Sequence, residues 1–238
     1  DGDTEGSGLT YQITGGVDAA LFSINTNTGV VTFNSAPDFE NPGDANADNN
    51  YEIQVTVTDS GGLTDNQAIT ITVTDANDAP SITSNATTSV AENQTDAINV
   101  NSQDQDGDTE GSGLTYQITG GADQALFTIN SNTGAVTFNS APDFENPVDS
   151  NADNNYEIQV TVTDSGGLTD NQAITITVTD ANDAPSITSN ATTSVAENQT
   201  DAINVNSQDQ DGDTEGSGLT YQITGGVHAA LFSINTNI

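Results

Sequence analysis

One unit of about 105 residues recurs along the chain, setting Asp1 against Asp106 and Asp211, Tyr11 against Tyr116 and Tyr221, and Asp75 against Asp180. A period this long exceeds a solenoid turn and equals one small domain, so the chain reads as beads on a string. Each unit closes on the same acidic connector, Asp75-Ala-Asn-Asp-Ala-Pro80 and again Asp180-Ala-Asn-Asp-Ala-Pro185. With Pro80 and Pro185 opening new units, the expected modules are 1–79, lacking its opening, 80–184, complete, and 185–238, lacking its close.

Within the middle unit, Leu114, Tyr116 and Ile118, then Tyr156, Ile158, Val160 and Val162, then Ile174, Ile176 and Val178 alternate with polar residues. Period two is the mark of half-buried antiparallel strands. Shorter strands fit Ser89 to Ala91, Ala97 to Val100, Phe127 to Ile129 and Val136 to Phe138, with turn chemistry between them at Asn132-Thr-Gly134 and Asp164-Ser-Gly-Gly167. No stretch carries a helical period of useful length. About seven strands in roughly 100 residues predict an all-β fold: tandem Greek-key, seven-stranded β-sandwiches of immunoglobulin-like type, stacked into a linear rod.

Lys and Arg are absent while Asp and Glu total 35, giving a net charge of −35 over 238 residues. The balancing charge must come from solution. Nucleic acid and anionic membrane surfaces are excluded as partners, because their recognition rests on clustered Lys and Arg. Acidic residues at 15% of the chain are ordinary in number, so the anomaly lies in the missing bases and the placing of the acids. Cys is also absent, and hydrophobic residues amount to 32%. Cores this thin, with no disulfide, leave a ligand bound only by the folded state as the remaining source of stability. No apolar run approaches the roughly 20 residues that span a bilayer, and no signal peptide is present; targeting segments would lie outside this stretch.

The acids sit at alternate positions of extended segments, where residues i and i+2 face one side. Asp143 and Glu145 of Pro142-Asp-Phe-Glu-Asn-Pro147 are expected together with Phe144 turned to the core, and Asp180 pairs with Asn182, Asp104 with Asp106, and Asp106 with Asp108. Like charges held this close repel unless a cation sits between them. Every candidate ligand is an oxygen, which suits calcium with six to eight ligands, places magnesium second and disfavours zinc.

On these motifs the chain resembles the cadherin repeat in its bacterial surface-protein form, over essentially its whole length. The family carries an X-Glu-X motif, an Asp-Arg-Glu motif, an Asp-X-Asn-Asp-Asn-Pro connector, and then an Asp-X-Asp motif and a late Asp in the next domain. Here these look like Ala91-Glu92-Asn93, Asp143-Phe-Glu145, Asp180-Ala-Asn-Asp-Ala-Pro185 and Asp209-Gln-Asp211; at the first junction they are Asp38, Glu40, Asp75, Asn77 and Asp78, then Asp104, Asp106 and Asp164. The resemblance implies about three calcium ions per junction. Two fall among Glu92, Asp143, Glu145, Asp180 and Asp183, and one among Asn182, Asp209 and Asp211, with backbone carbonyls of Ala181 and Ala184 helping, as Ala76 and Ala79 would at the first junction. Phe replaces the motif's Arg, and Ala79 and Ala184 replace an Asn that contributes only its carbonyl. The Glu of the first junction would precede Asp1 and the late Asp of the second would follow Ile238, so each junction is one residue short.

The runs Asp44-Ala-Asn-Ala-Asp-Asn-Asn50 and Asp149-Ser-Asn-Ala-Asp-Asn-Asn155 alternate acids and amides as a calcium loop does, but lack its glycine at the sixth place and its acid at the twelfth; a metal loop and a plain polar loop both remain open. His228 replaces Asp18 and Asp123 of the other copies and reads as an exposed substitution, not a catalytic base. Tyr156 and Phe144 at strand spacing read as core. Asp143 and Glu145 lie too close along one strand to flank a glycosidic bond. Asn85-Ala-Thr87 and Asn93-Gln-Thr95 permit glycosylation. The expectation is therefore not an enzyme but a secreted or surface-attached, calcium-stiffened extender of an adhesin, with neighbouring repeats or copies of the same chain as partners. The alternatives are a self-assembling filament or matrix (biofilm) subunit joined by calcium and strand complementation, and a module that binds surface or matrix glycans.

Overall fold

The computed structural model describes residues 2–235, which divide into two compact units. Unit 1 comprises the chain up to Pro80 together with 104–108 and 164–168; unit 2 comprises 81–103, 109–163 and the chain from Thr169 onward. No helix among the described residues is long and apolar enough to cross a membrane.

In unit 1, β1 (Thr10–Gly15), β4 (Asn50–Thr58) and β5 (Thr64–Thr72) form an antiparallel sheet in the order β1-β4-β5, and β2 (Phe22–Ile24) pairs with β3 (Val31–Phe33). The β4–β5 hairpin runs in unbroken register from Asn50↔Thr72 to Thr58↔Thr64, as a run of β-branched residues with polar partners favours. Phe22, Tyr51 and Ile53 are buried at its core, with Val55, Ile69, Ile71 and Val73 half-buried around them.

Unit 2 repeats this plan and adds to it. β6 (Ser81–Ile82), β7 (Thr87–Ala91), β8 (Asp96–Asn99), β9 (Ser102–Gln103), β10 (Thr109–Glu110), β11 (Gly113–Gly120), β12 (Phe127–Ile129), β13 (Ala135–Phe138), β14 (Asn155–Thr163) and β15 (Thr169–Thr179) make a five-stranded sheet β10-β11-β14-β15-β7, a three-stranded sheet β12-β13-β8 and the small pair β6-β9. Both larger sheets feed one core: Leu114, Tyr116, Tyr156, Ile158, Val160, Val162, Ile174, Ile176 and Val178 from one, Ala97, Phe127, Val136 and Phe138 from the other. This is the expected sandwich. Phe127, Phe138 and Tyr156 meet tilted and edge-on at centroid distances of 4.5, 5.2 and 6.0 Å, which suits the ring quadrupoles. Tyr156 is core as expected, and Phe144 packs against that core.

Several features depart from the sequence reading. β7 pairs with β15 in parallel, from Thr175↔Thr87 to Thr179↔Ala91, and β10 pairs with β11 in parallel, where antiparallel strands were expected. Alternation reports which face a residue occupies and carries no information on strand direction. The complete repeat also breaks into more, shorter strands than seven. Three-residue 3-10 turns occupy Ala19–Leu21, Gln124–Leu126 and Ala229–Leu231, too short to leave a helical period. The segment 144–146 bends instead of continuing extended from Asp143.

Ahead of the 3-10 turns, Gly16 and Gly121 hold φ of +102° and +101°. A Cβ on Gly121 would lie 2.3 Å from both Glu157 O and Ile158 Cα, so the close approach of this turn to β14 requires glycine. Beyond β15 lie two short pairs, β16 (Ser186–Ile187) with β17 (Ser207–Gln208) and β18 (Thr214–Glu215) with β19 (Gly218–Leu219).

Candidate metal centres

In unit 1 the connector after β5 brings Asp75 to Glu40 and Asp106, and one carboxylate oxygen from each of the three lies within 4.8 Å of the others. The Asp78 backbone N–H donates to Asp106 Oδ2 at 2.7 Å, Gln105 Nε2 donates to Asp78 Oδ2 at 3.3 Å, and the Asp106 N–H donates to Asp104 Oδ1 at 2.9 Å. Asn77 Nδ2 donates to Asp164 Oδ2 at 2.8 Å, while the other oxygen of the buried Asp164 accepts the Leu168 N–H at 2.8 Å. Asp38 stands beside the group and caps its own turn through the Asn41 N–H at 3.0 Å. Ala76 shares a shallow concavity with Asp38, Glu40, Asp78 and Gln105. Ala79 is exposed.

Unit 2 builds the same arrangement from Glu92, Glu145 and Asp180, again with oxygens within 4.8 Å of one another. Glu92 is buried, and its two oxygens accept the Phe144 N–H at 2.7 Å and the Ala181 N–H at 2.9 Å, which ties the 143–146 bend to the connector. Asn93 Nδ2 and Gln210 Nε2 donate to the two oxygens of Asp183 at 2.9 and 2.7 Å, and the Asp183 N–H donates to Asp211 Oδ2. The Asp211 N–H donates to Asp209 Oδ1 at 3.1 Å, Asn182 Nδ2 donates to the Asp183 carbonyl, and Ala184 lines the adjoining concavity with Asn93 and Asp183. Asp143 spends one oxygen on the Asn146 N–H and stands outside the three-carboxylate group, a consequence of the bend.

Burial, then the charges of Asp75, Asp106 and Asp78, push the Glu40 carboxyl above its ordinary range. Burial, then Glu92, Asp180 and Asp211, do the same to Glu145. Asp180 is raised by burial, by its contact with Asp211 and by the charges around it; Asp104 is raised by burial and by Asp106 and Asp108. Asp104 Oδ2 and Asp211 Oδ1 are buried and accept no hydrogen bond. Each three-carboxylate cluster thus adjoins a carboxylate with a buried oxygen that has no donor, Asp104 or Asp211, and in a chain with no Lys or Arg this all-oxygen set fits a hard divalent cation.

In the Asp44–Asn50 and Asp149–Asn155 loops the leading acid is bonded by the loop's own backbone, while Asn49 Oδ1 and Asn154 Oδ1 are buried without a donor. The buried Asp44 carboxylate accepts the N–H groups of Asp48 and Asn49 at 2.9 and 3.2 Å, and Asp149 accepts those of Asp153 and Asn154 at 3.0 and 3.2 Å. Although burial pushes the Asp44 carboxyl upward, these donors hold it below the usual carboxylate range. Sequence reasoning missed Asp18 and Asp123, each only 3% exposed. Asp123 accepts the Ser150 N–H at 2.7 Å and the Glu157 N–H at 2.8 Å, fastening the polar loop to β14, and Asp18 does the same with Ala45 and Glu52. An acid just before a 3-10 turn gives no signal of burial in sequence. His228 at the same place in the third copy is exposed, as expected.

The Cadherin domain family matches residues 1–74 and 86–179. Protocadherin Fat 2 of Rattus norvegicus is 31% identical over 236 residues, covering 94% of this chain, which spans 5% of that protein's length. Halomucin of Haloquadratum walsbyi is 40% identical over 89 residues, 37% of this chain and 1% of that protein. The crystal structure of human CDH23 EC21-23 shares the fold at a TM-score of 0.55 and 20% identity, covering 96% of this chain and 80% of that one.

Proposed function

This chain belongs to the cadherin domain family, and from that premise we propose that it is a calcium-stiffened extender segment of an extracellular adhesive protein. Cadherin repeats are extracellular domains of cell-surface proteins, generally bind calcium at their junctions, and form a non-enzymatic family. The modules of the reading are 1–79, 80–184 and 185–238. One set of ligands is Asp38, Glu40, Asp75, Asn77, Asp78, Asp104, Asp106 and Asp164, with the carbonyls of Ala76 and Ala79. The other is Glu92, Asp143, Glu145, Asp180, Asn182, Asp183, Asp209 and Asp211, with those of Ala181 and Ala184. About three ions per junction is the expected stoichiometry.

The observation that carries the reading is the convergence of Glu40, Asp75 and Asp106, three carboxylates within 4.8 Å of one another in a chain with no cationic side chain to separate them. Bound calcium supplies the opposing charge. Without it, Glu40 and Asp75 of the first repeat and Asp106 of the next repel, and the connector from Asp75 to Ala79 is free to flex. Small-angle scattering in calcium and in chelator tests this, together with a calorimetric calcium titration. A longer maximum dimension in calcium, accompanied by binding heat, is expected; an unchanged dimension and no heat overturn the reading.

A further inference from the structure

Four asparagines of unit 2 open acceptor sequences for N-linked sugar, Asn85 and Asn93 in the complete repeat and Asn190 and Asn198 in the copy that follows, and the fold gives Asn85 and Asn93 different hydrogen-bond partners. We propose that Asn85 is a glycosylation site whose Nδ2 carries an N-linked oligosaccharide, while Asn93 keeps its bare amide. The exposure and pinning of the 83–86 loop carry this assignment, which does not depend on calcium.

Asn85, Ala86 and Thr87 are all exposed, and the Asn85 side chain makes no hydrogen bond. The loop beneath it is nonetheless fixed. The Ser84 hydroxyl accepts the Asn101 N–H at 2.7 Å and donates to the Asn99 carbonyl at 3.3 Å, and the Ala86 carbonyl accepts the Thr175 N–H at 2.9 Å. An acceptor amide is thus held outward on a pinned loop, where a bulky sugar displaces nothing. Asn93, Gln94 and Thr95 are exposed as well, and the difference lies in bonding: the Asn93 φ is +64°, its backbone N–H donates to the Pro142 carbonyl at 3.0 Å, and its Nδ2 donates to Asp183 Oδ1 at 2.9 Å. A sugar on that nitrogen would be forced between Asn93 and Asp183, beside the Glu92 carboxylate cluster.

In the transfer, a membrane-bound oligosaccharyl transferase presents a polyprenyl-diphosphate-linked oligosaccharide. A bond forms between Asn85 Nδ2 and the anomeric carbon as the anomeric carbon–oxygen bond breaks. The lipid diphosphate leaves with the bonding electron pair, and the amide gives up one proton to a base of the transferase. The exposed Thr87 completes the recognised triplet. The consequence is local: Thr87 begins β7, the edge strand of the five-stranded sheet, and a neutral hydrated glycan at its start shields an open edge from pairing with another strand.

The chain has no Lys or Arg, so cleavage after Glu is the practical digest. It separates 53–92, holding Asn85, from 93–110, holding Asn93, but these peptides are identical in sequence to 158–197 and 198–215. The test therefore uses an N190Q/N198Q double variant, secreted from cells with a transferase for Asn-X-Thr and read by mass spectrometry before and after peptide N-glycosidase. Sugar on 53–92, with Asn85 converted to Asp by the glycosidase, and an unmodified 93–110 are expected. A bare 53–92, or Asn93 occupied as fully as Asn85, overturns the proposal. Calcium calorimetry on the same sample reads the metal sites separately.

Discussion

The Glu40 and Glu145 carboxyls are held above their ordinary 4.5, and Asp104 and Asp180 above 3.8, by burial and by the neighbouring acids. A carboxyl that holds its proton more tightly in the folded chain contributes stability that is complete below its ordinary value and is lost as pH rises through the raised one. In chelator, therefore, the thermal midpoint is expected to fall between about pH 4.5 and neutrality. Asp44 and Asp164, held below 3.8, act oppositely, with stability present above that value and lost as pH falls through their lowered ones. With calcium the first slope reverses, because protons compete with the ion for Glu40 and Glu145. Melting curves at pH 5 and pH 7.5, with calcium and with chelator, check both signs. Glu145→Gln should lower calcium affinity by about tenfold in calorimetry while raising the melting point in chelator. Asp123→Ala leaves the Ser150 and Glu157 N–H groups without their acceptor and should cost about 3 kcal/mol in urea unfolding, independent of calcium. That residue was illegible in sequence. Its burial follows from which loop folds over it, whereas Glu40, Asp75 and Asp106 were legible only through motif order, since no local spacing joins positions so far apart.

At the scale of elements, residues 186–207 reproduce 81–102 letter for letter, yet 87–91 and 96–99 are strands while 188–206 contain none. Val90 and Ile98 pack against the core, but Val195 and Ile203 are 56% and 49% exposed. Local propensity is the same in both copies, so the difference lies in partners: β15 pairs with β7 and β13 with β8, and no such strands accompany 192–196 and 201–204 among the described residues. This sets the limit of what the sequence conveyed about the fold. Alternation in Tyr156 to Val162 and Ile174 to Val178 made the central hairpin legible, because each buried face is written into one contiguous stretch. The parallel β7–β15 pairing was not, because it joins residues almost 90 apart through their backbones. The same backbone constraint makes Gly121 sensitive. Gly121→Ala requires both a left-handed φ and a Cβ 2.3 Å from the Glu157 carbonyl, and should cost about 2 kcal/mol or more in denaturant unfolding, with the loss confined to the repeat that carries it.

Across the whole molecule, 35 acids and no Lys or Arg mean that two kinds of repulsion oppose the folded chain, and they differ in range. The general self-repulsion acts over many residues and is screened by simple salt, whose Debye length at physiological strength is about 8 Å. Repulsion inside the Glu40–Asp75–Asp106 and Glu92–Glu145–Asp180 groups acts within 4.8 Å, short of that length, where mobile monovalent ions screen poorly. Sodium chloride added to the chelated protein should therefore raise its melting point part of the way and then level off, while millimolar calcium at constant ionic strength should raise it further. A variant with Glu40→Gln and Glu145→Gln separates the two contributions. Its response to sodium should match that of the parent chain, because only two of 35 acids are gone, and its response to calcium should shrink. Were sodium alone to restore the full calcium-loaded melting point, diffuse charge would account for the metal dependence and the clustered carboxylates would not.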